Sequence, residues 1–238
     1  KTAFAFGIND VTINLGGAGD LNAHTITALV TTGLTNVKIS SNGTVANTIT
    51  AVTNSDNSNF TLSGAADLTI AIAAGTAIGS QLDASTMTGK ATITGSSIAG
   101  SGDIIKGGSG IDTITGLKGA DTMTGGAGGD TFSFNGAAAA NTSGATFGSA
   151  DVITDFVAGS DKLQFSGVVD VVSGQQAAVQ TAVTALAAGS TDAQIAVAMS
   201  AANTTNLGVS FAVYNGSTYV LYETTGATAV GAVADDVF

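Results

Sequence analysis

Between residues 103 and 130 an aspartate recurs every nine positions, at Asp103, Asp112, Asp121 and Asp130. In that period the segment reads IAGSGDIIK, GGSGIDTIT, GLKGADTMT and GGAGGDTFS. Glycines crowd in front of each acid, and an apolar residue follows two places behind it: Ile105, Ile114, Met123 and Phe132. The second and fourth units fit G-G-x-G-x-D-x-U-x throughout, U being a large apolar residue; the third carries Leu117 in place of a glycine, and the first is degenerate. One large side chain per nine residues cannot build an ordinary core. A glycine-rich linker with solvating acids is the plain alternative, since low aromatic content and charge favour disorder. Strict phasing of both the acid and the apolar position argues against it.

The residue types point to a hard cation. Glycine admits positive φ and lets backbone carbonyls approach one another, while an aspartate at the sixth place turns a short carboxylate toward the same spot. A site built only from carbonyl and carboxylate oxygens suits Ca²⁺, which takes six to eight of them. The three residues after each Asp form a short strand with its apolar side chain inward.

On these units the chain resembles the RTX family of type I-secreted bacterial proteins, whose calcium-binding repeat has this form. The resemblance implies a right-handed parallel β-roll in which two nonapeptides make one turn, so that units two apart share an ion. Asp112 then pairs with Asp130 on one edge and Asp103 with Asp121 on the other. The implied calcium residues are these four with Gly107, Ser109, Gly116, Lys118, Gly125 and Ala127. The stretch ADVITDFVAGSDKLQFSG (150–167) is similar to the segment D-x-I-x-D-F-x-x-G-x-D-K-I that follows such arrays. Asp151, Asp155, Phe156, Gly159, Asp161 and Lys162 match it and Leu163 replaces the Ile. Asp151 and Asp155 either close a final calcium site or merely cap turns. Half of the ten Phe lie between 132 and 165, as expected of a segment covering the open end of a solenoid.

Four zones follow. Residues 1–97 are rich in Thr, Ala, Asn and Ser, with short alternating runs at 10–15, 36–40, 47–53, 59–63, 67–73 and 90–94. Many short strands with small side chains suggest stacked solenoid rungs. Only LNAHTITALVTTG (21–33) is compatible with a helix. Residues 98–134 are the array, and 135–170 the aromatic-rich capping segment. Residues 171–238 change period, with two Ala-rich helices over 173–189 and 191–203, for which Ser190 or Thr191 can cap and Gly189 can stop. Two alternating runs then flank Asn215–Gly216, a hairpin signal. Similar hairpins close many RTX C-terminal regions. The expected fold is mainly β, a right-handed parallel solenoid with short strands, plus two helices and a hairpin.

Composition excludes several classes. The net charge is −11, carried by sixteen Asp and the lone Glu223 against six Lys, and this repels nucleic acid and anionic membrane surfaces. No run of about 18 apolar residues offers a membrane span. There is no Cys, hence no disulfide or thiolate metal site. His24 is the sole histidine, and neither H-E-x-x-H nor G-x-S-x-G occurs, so the zinc site and nucleophile elbow of RTX enzymes are missing from this sequence. Tyr214, Tyr219 and Tyr222 suit packing within the hairpin better than a carbohydrate platform. The chain starts within TAFAF and ends on DDVF, strand-like runs that read as a piece of something longer.

The expectation is a non-enzymatic, calcium-dependent surface protein, because the Thr/Ala/Gly/Asn-rich composition resembles Gram-negative S-layer proteins with RTX motifs. It would be secreted, self-associate into a lattice or fibre, and use flanking segments for any anchor to a cell-surface polysaccharide. The alternative is the C-terminal secretion-and-folding module of a secreted enzyme, toxin or adhesin.

Overall fold

The computed structural model describes residues 2–3, 10–54, 58–73, 79–98, 102–134, 151–165, 176–202, 208–223 and 236–237. Upstream of the array lie β1 (Thr2–Ala3), β2 (Asp10–Leu15), β3 (Thr25–Ile26), β4 (Leu29–Val30), β5 (Asn36–Ser41), β6 (Asn47–Thr53), β7 (Asn59–Gly64), β8 (Leu68–Ile72), β9 (Gln81–Met87) and β10 (Ala91–Thr94). The array supplies β11 (Ile104–Lys106), β12 (Thr113–Thr115), β13 (Thr122–Thr124) and β14 (Thr131–Phe134), and β15 (Val152–Ile153) and β16 (Lys162–Phe165) follow it. The C-terminal zone holds α1 (Gln176–Thr184), α2 (Asp192–Ala202), β17 (Gly208–Tyr214), β18 (Ser217–Glu223) and β19 (Asp236–Val237).

From β5 to β16 successive strands alternate between two parallel sheets. One runs β1-β4-β6-β8-β10-β12-β14-β16, with β3 also beside β6; the other runs β15-β13-β11-β9-β7-β5-β2. This is a parallel β-solenoid. The sheets face each other across one core, in which Val37, Ile39, Phe60, Leu62 and Leu82 of one meet Ile49, Leu68, Ile70 and Ile93 of the other. The alternating runs of the sequence produce this directly, since successive side chains of a strand point to opposite faces.

The upstream rungs and the array belong to the same solenoid. Ile105 of β11 is in register with Leu82 of β9, and Ile114 of β12 with Ile93 of β10, all four fully buried. Upstream, several strand pairs join residues twenty-three apart, such as Asn36 and Asn59 or Leu68 and Ala91. Within the array it joins residues eighteen apart, Asp103 meeting Asp121 and Asp112 meeting Asp130. Two nonapeptides therefore make one turn. The array strands β11, β12 and β13 each bury one large side chain, Ile105, Ile114 and Met123, where upstream strands such as β5, β6 and β7 each bury two and β14 buries Phe132 and Phe134.

Three readings of the sequence change. Residues 21–33 are not helical: they carry β3 and β4, which pair with β6, and the β-branched run Thr25–Ile26–Thr27 suits extended backbone. A strand that alternation did not reveal, β9, lies over Gln81–Met87. Its inward residues are Leu82, Ala84 and Met87, and a register shift opposite Thr61 and Ser63 breaks the period of two. The capping segment is described only over 151–165, the rest of 135–170 lying outside the described residues. Within that part β15 and β16 extend both sheets, while Phe165 stacks on Phe134 at 5.5 Å and Phe156 lies 6.2 Å from Phe132.

The C-terminal helices and hairpin form a second cluster around Val179, Val183, Ile195, Met199, Ala212 and Leu221. Thr191 starts α2 in a capping box: Gln194 N–H faces Thr191 Oγ1 at 3.4 Å and Thr191 N–H donates to Gln194 Oε1 at 2.8 Å. Asn215 and Gly216 both have positive φ, the type I′ geometry their pairing in sequence announces. Tyr214 is buried and its hydroxyl donates to Ala187 O, a packing role.

Candidate metal centre

Where the chain turns from one sheet into the other, the strand-initial N–H groups leave the ladder and need other acceptors. The array aspartates meet that need. On one edge Asp103 Oδ1 accepts from Ser80 N–H at 2.7 Å, Asp121 Oδ1 from Asp103 N–H at 2.7 Å, and Asp151 Oδ1 from Asp121 N–H at 2.8 Å. On the other Asp112 Oδ1 accepts from Ala91 N–H at 2.7 Å, Asp130 Oδ1 from Asp112 N–H at 2.8 Å, and Asp161 Oδ1 from Asp130 N–H at 2.9 Å. Each carboxylate thus clamps the rung before it. The pairings Asp112–Asp130 and Asp103–Asp121 lie on opposite edges.

The second oxygens differ. Asp103 Oδ2 accepts from Ser96 N–H at 2.5 Å and Asp112 Oδ2 from Gly108 N–H at 2.6 Å. Asp121 Oδ2 and Asp130 Oδ2 are buried with no hydrogen-bond partner, in residues 0% and 1% exposed. Around them the backbone brings more acceptors. A Cβ placed on Gly107 would strike both the Gly125 carbonyl oxygen and Asp112 Oδ2, and one placed on Gly116 would strike Asp121 Oδ2. Ionised, such carboxylates are acceptors only, so at Asp121 and Asp130 buried oxygens meet further acceptors with no donor on Oδ2.

Electrostatics agree. Burial pushes the Asp121 carboxyl up to about 7, aided by the charge of Asp103 and opposed by the Asp103 N–H. Burial also raises Asp130, with Asp112, Asp161 and Asp155 adding like charge, and raises Asp103. The ion pairs of the described residues, Lys106–Asp83 and His24–Asp20, involve none of these groups. A buried carboxylate held ionised without a cation is costly, and hard oxygen donors fit Ca²⁺ better than a softer metal. Among the described residues no three His, Cys, Asp or Glu converge on one point. Carboxylates come in pairs one rung apart, and carbonyls must complete the coordination.

The other expected residues fall in the same corners. Ser109 N–H donates to Met87 O at 3.0 Å and Ala127 N–H to Gly108 O at 2.9 Å, stacking each corner loop on the rung before it. Lys118 is half-buried between Leu117 (φ 74°) and Gly119 (φ 135°). Asp155 accepts from Gly125 and Gly126 N–H at 2.8 Å each, so it caps the last corner. Asp151 continues the ladder on its edge. The residue that sequence reasoning passed over as a ligand is Asp161, which continues the ladder on the other. Its signal was present: Asp161–Lys162–Leu163 repeats the D-x-U phase of Asp130–Thr131–Phe132, and Leu163 pairs with Phe132.

The fold and these corners define a β-solenoid with paired, buried aspartates on both edges. Residues 99–132 match the family model of the RTX calcium-binding nonapeptide repeat (4 copies), which makes this segment an RTX array and supports an RTX-type protein. Neither a search of the curated proteins nor one of the solved structures found a match.

Proposed function

We propose that this protein is a structural, calcium-dependent cell-surface subunit of S-layer type, secreted by the type I route, without catalytic activity. Calcium completes the array and favours lateral association of copies into a lattice or fibre. RTX repeats are a feature of secreted proteins, and no helix among the described residues is long and apolar enough to cross a membrane. The observation that carries the reading is continuity. Strands from β2 to β16 share two sheets and one core, so the segment before the array is more of the same rod. A rod of thin rungs supplies repeated, exposed edges along its length, which suits lateral contact.

The second reading, a folding module at the C-terminal side of a secreted enzyme, toxin or adhesin, draws on the separate helix–hairpin cluster after the solenoid. Electron microscopy of the native cell surface separates the two. An ordered array labelled by an antibody to this chain is the expected result; a chain found only in the medium, attached to a catalytic domain, sinks the lattice reading.

A further inference from the structure

One sheet carries a single residue type in a column on its outer face. Thr25, Thr48, Thr69, Thr92, Thr113 and Thr131 lie in register on successive strands, from β3 through β6, β8, β10 and β12 to β14. The residue after each of the last five, Ile49, Ile70, Ile93, Ile114 or Phe132, is fully buried, so the threonines point outward, and all six are half-buried or exposed. Ala71, Thr94 and Thr115 form a second, shorter outward column beside them. No charge enters the long column until Lys162 of β16. Threonine suits strands in general, but the other sheet does not repeat the pattern. Its column reads Asp10, Asn36, Asn59, Gln81, Ile104 and Thr122, and the neighbouring one runs Lys38, Thr61, Asp83 and Lys106. There Asn36 Nδ2 donates to Asp10 Oδ1 at 2.7 Å and Lys106 lies 3.7 Å from Asp83, so the outward groups satisfy one another. Strand propensity alone does not explain why one sheet of a chain at −11 carries an uncharged column of one residue type.

Size and spacing select the occupant. Six rungs about 4.8 Å apart and two columns about 6.6 Å apart make a face of roughly 200 Å², well below the ~800 Å² that a stable protein contact buries on each partner. The columns hold no charge for an ion and no ring on which a sugar could stack. What they do hold is a repeat. In ice each oxygen is tetrahedrally hydrogen-bonded at about 2.75 Å, which gives lattice repeats of about 4.5 Å and about 7.3 Å. The long column presents a hydroxyl and a methyl every ~4.8 Å, and the difference from the shorter ice repeat sums to only about 1.5 Å over six threonines. We propose that this threonine face binds ice. The hydroxyls join the outermost ordered water layer as donors and acceptors, and the methyls sit between them against water already held in order. The activity is separate from calcium binding at the corners, and it does not depend on the surface-subunit reading.

Ice-affinity partition of the full chain in calcium buffer tests it: ice is grown slowly through part of the solution, and protein is assayed in the ice and in the remaining liquid. Wild type should be enriched in the ice severalfold over the double variant Thr92→Lys, Thr113→Lys, which sets two charged side chains in the middle of the column. Thr61→Lys, the same change at an exposed position on the other sheet, should partition as wild type. Should the double variant fail to fold by circular dichroism, Thr69→Lys, at an exposed position upstream of the array, takes its place. Wild type left in the liquid to the same extent as the double variant overturns the proposal. Equal capture of all the chains overturns it as well, because trapping between crystals does not distinguish one face from another. If wild type is not enriched in ice but the double variant loses calcium-driven association, the face belongs to a second copy of the chain and ice binding is wrong.

Discussion

Asp112 and Asp130 touch through a 2.8 Å hydrogen bond from the backbone of one to the carboxylate of the other, whereas Asp121 belongs to the opposite edge. Substitutions at Asp112 and Asp130 to Ala should accordingly be non-additive in calcium affinity, with a coupling of about 0.5–3 kcal/mol. Asp112→Ala with Asp121→Ala should add to within roughly 0.5 kcal/mol, and the reverse pattern by calorimetry would refute the assignment of edges. Leu117 sits at φ 74° where the fourth unit has Gly126 at φ 96°. A side chain in that region is strained, so Leu117→Gly should stabilise the calcium-loaded chain by about 1 kcal/mol in denaturant melts. Acidity supplies a third test. Asp121 has a folded pKa raised to about 7, so without calcium its contribution is fully present below the unfolded value near 4 and is lost as pH rises through 7. Asp103 and Asp130 shift the same way. The chelated protein should melt several degrees higher at pH 5 than at pH 7.5, and calcium, which needs the carboxylates ionised, should abolish or invert that order. Equal melting temperatures in chelator at both pH values would show that burial does not govern these groups.

At the scale of elements, the solenoid solves the same corner problem by two chemistries. Ser58 and Ser80 precede β7 and β9 as Asp103 precedes β11. Ser58 Oγ lies 2.5 Å from Leu34 O, and buried Asn47 binds Ser41 Oγ at 3.0 Å, Asn42 O at 3.3 Å and His24 N–H at 2.9 Å. Ser58 and Asn47 are neutral and find partners within the protein, while strands β5 to β8 bury Ile39, Phe60, Leu62 and Ile70 beneath them. From residue 103 the corners carry buried aspartates, and β11, β12 and β13 shorten to three residues that each bury a single large side chain, too little to offset the entropy of ordering nine residues. Stability should divide accordingly. In chelator, hydrogen exchange of the intact chain should leave amides of 36–72 protected while those of 104–134 exchange, and calcium should restore only the latter. Loss of protection along the whole solenoid in chelator would show that the upstream rungs have no stability of their own.

For the whole molecule, a chain at −11 repels copies of itself. Monovalent salt screens that repulsion, but only a divalent ion can coordinate carboxylates across a contact. Ordered association is therefore expected in millimolar Ca²⁺ and not in NaCl of equal ionic strength, as read by light scattering and negative-stain microscopy. A protein that stays monomeric in calcium would favour the secreted-module reading.

Much of this was legible in the sequence because it is local. The period of nine places every array aspartate and its inward residue; alternation places β2, β5, β6 and β7 almost to the residue; Asn215–Gly216 announces the hairpin. What the tertiary structure alone decides depends on register between distant rungs. β9 becomes a strand because β7 and β11 pair with it, although Ala84 and a bulge obscure its pattern. Asp161 joins the ladder through the pairing of β16 with β14, thirty-one residues away along the ladder. Which carboxylate oxygens lack partners, and that six threonines share one column, follow from stacking that no window of sequence contains. A nonapeptide specifies a corner, but its neighbours one turn above and below complete it.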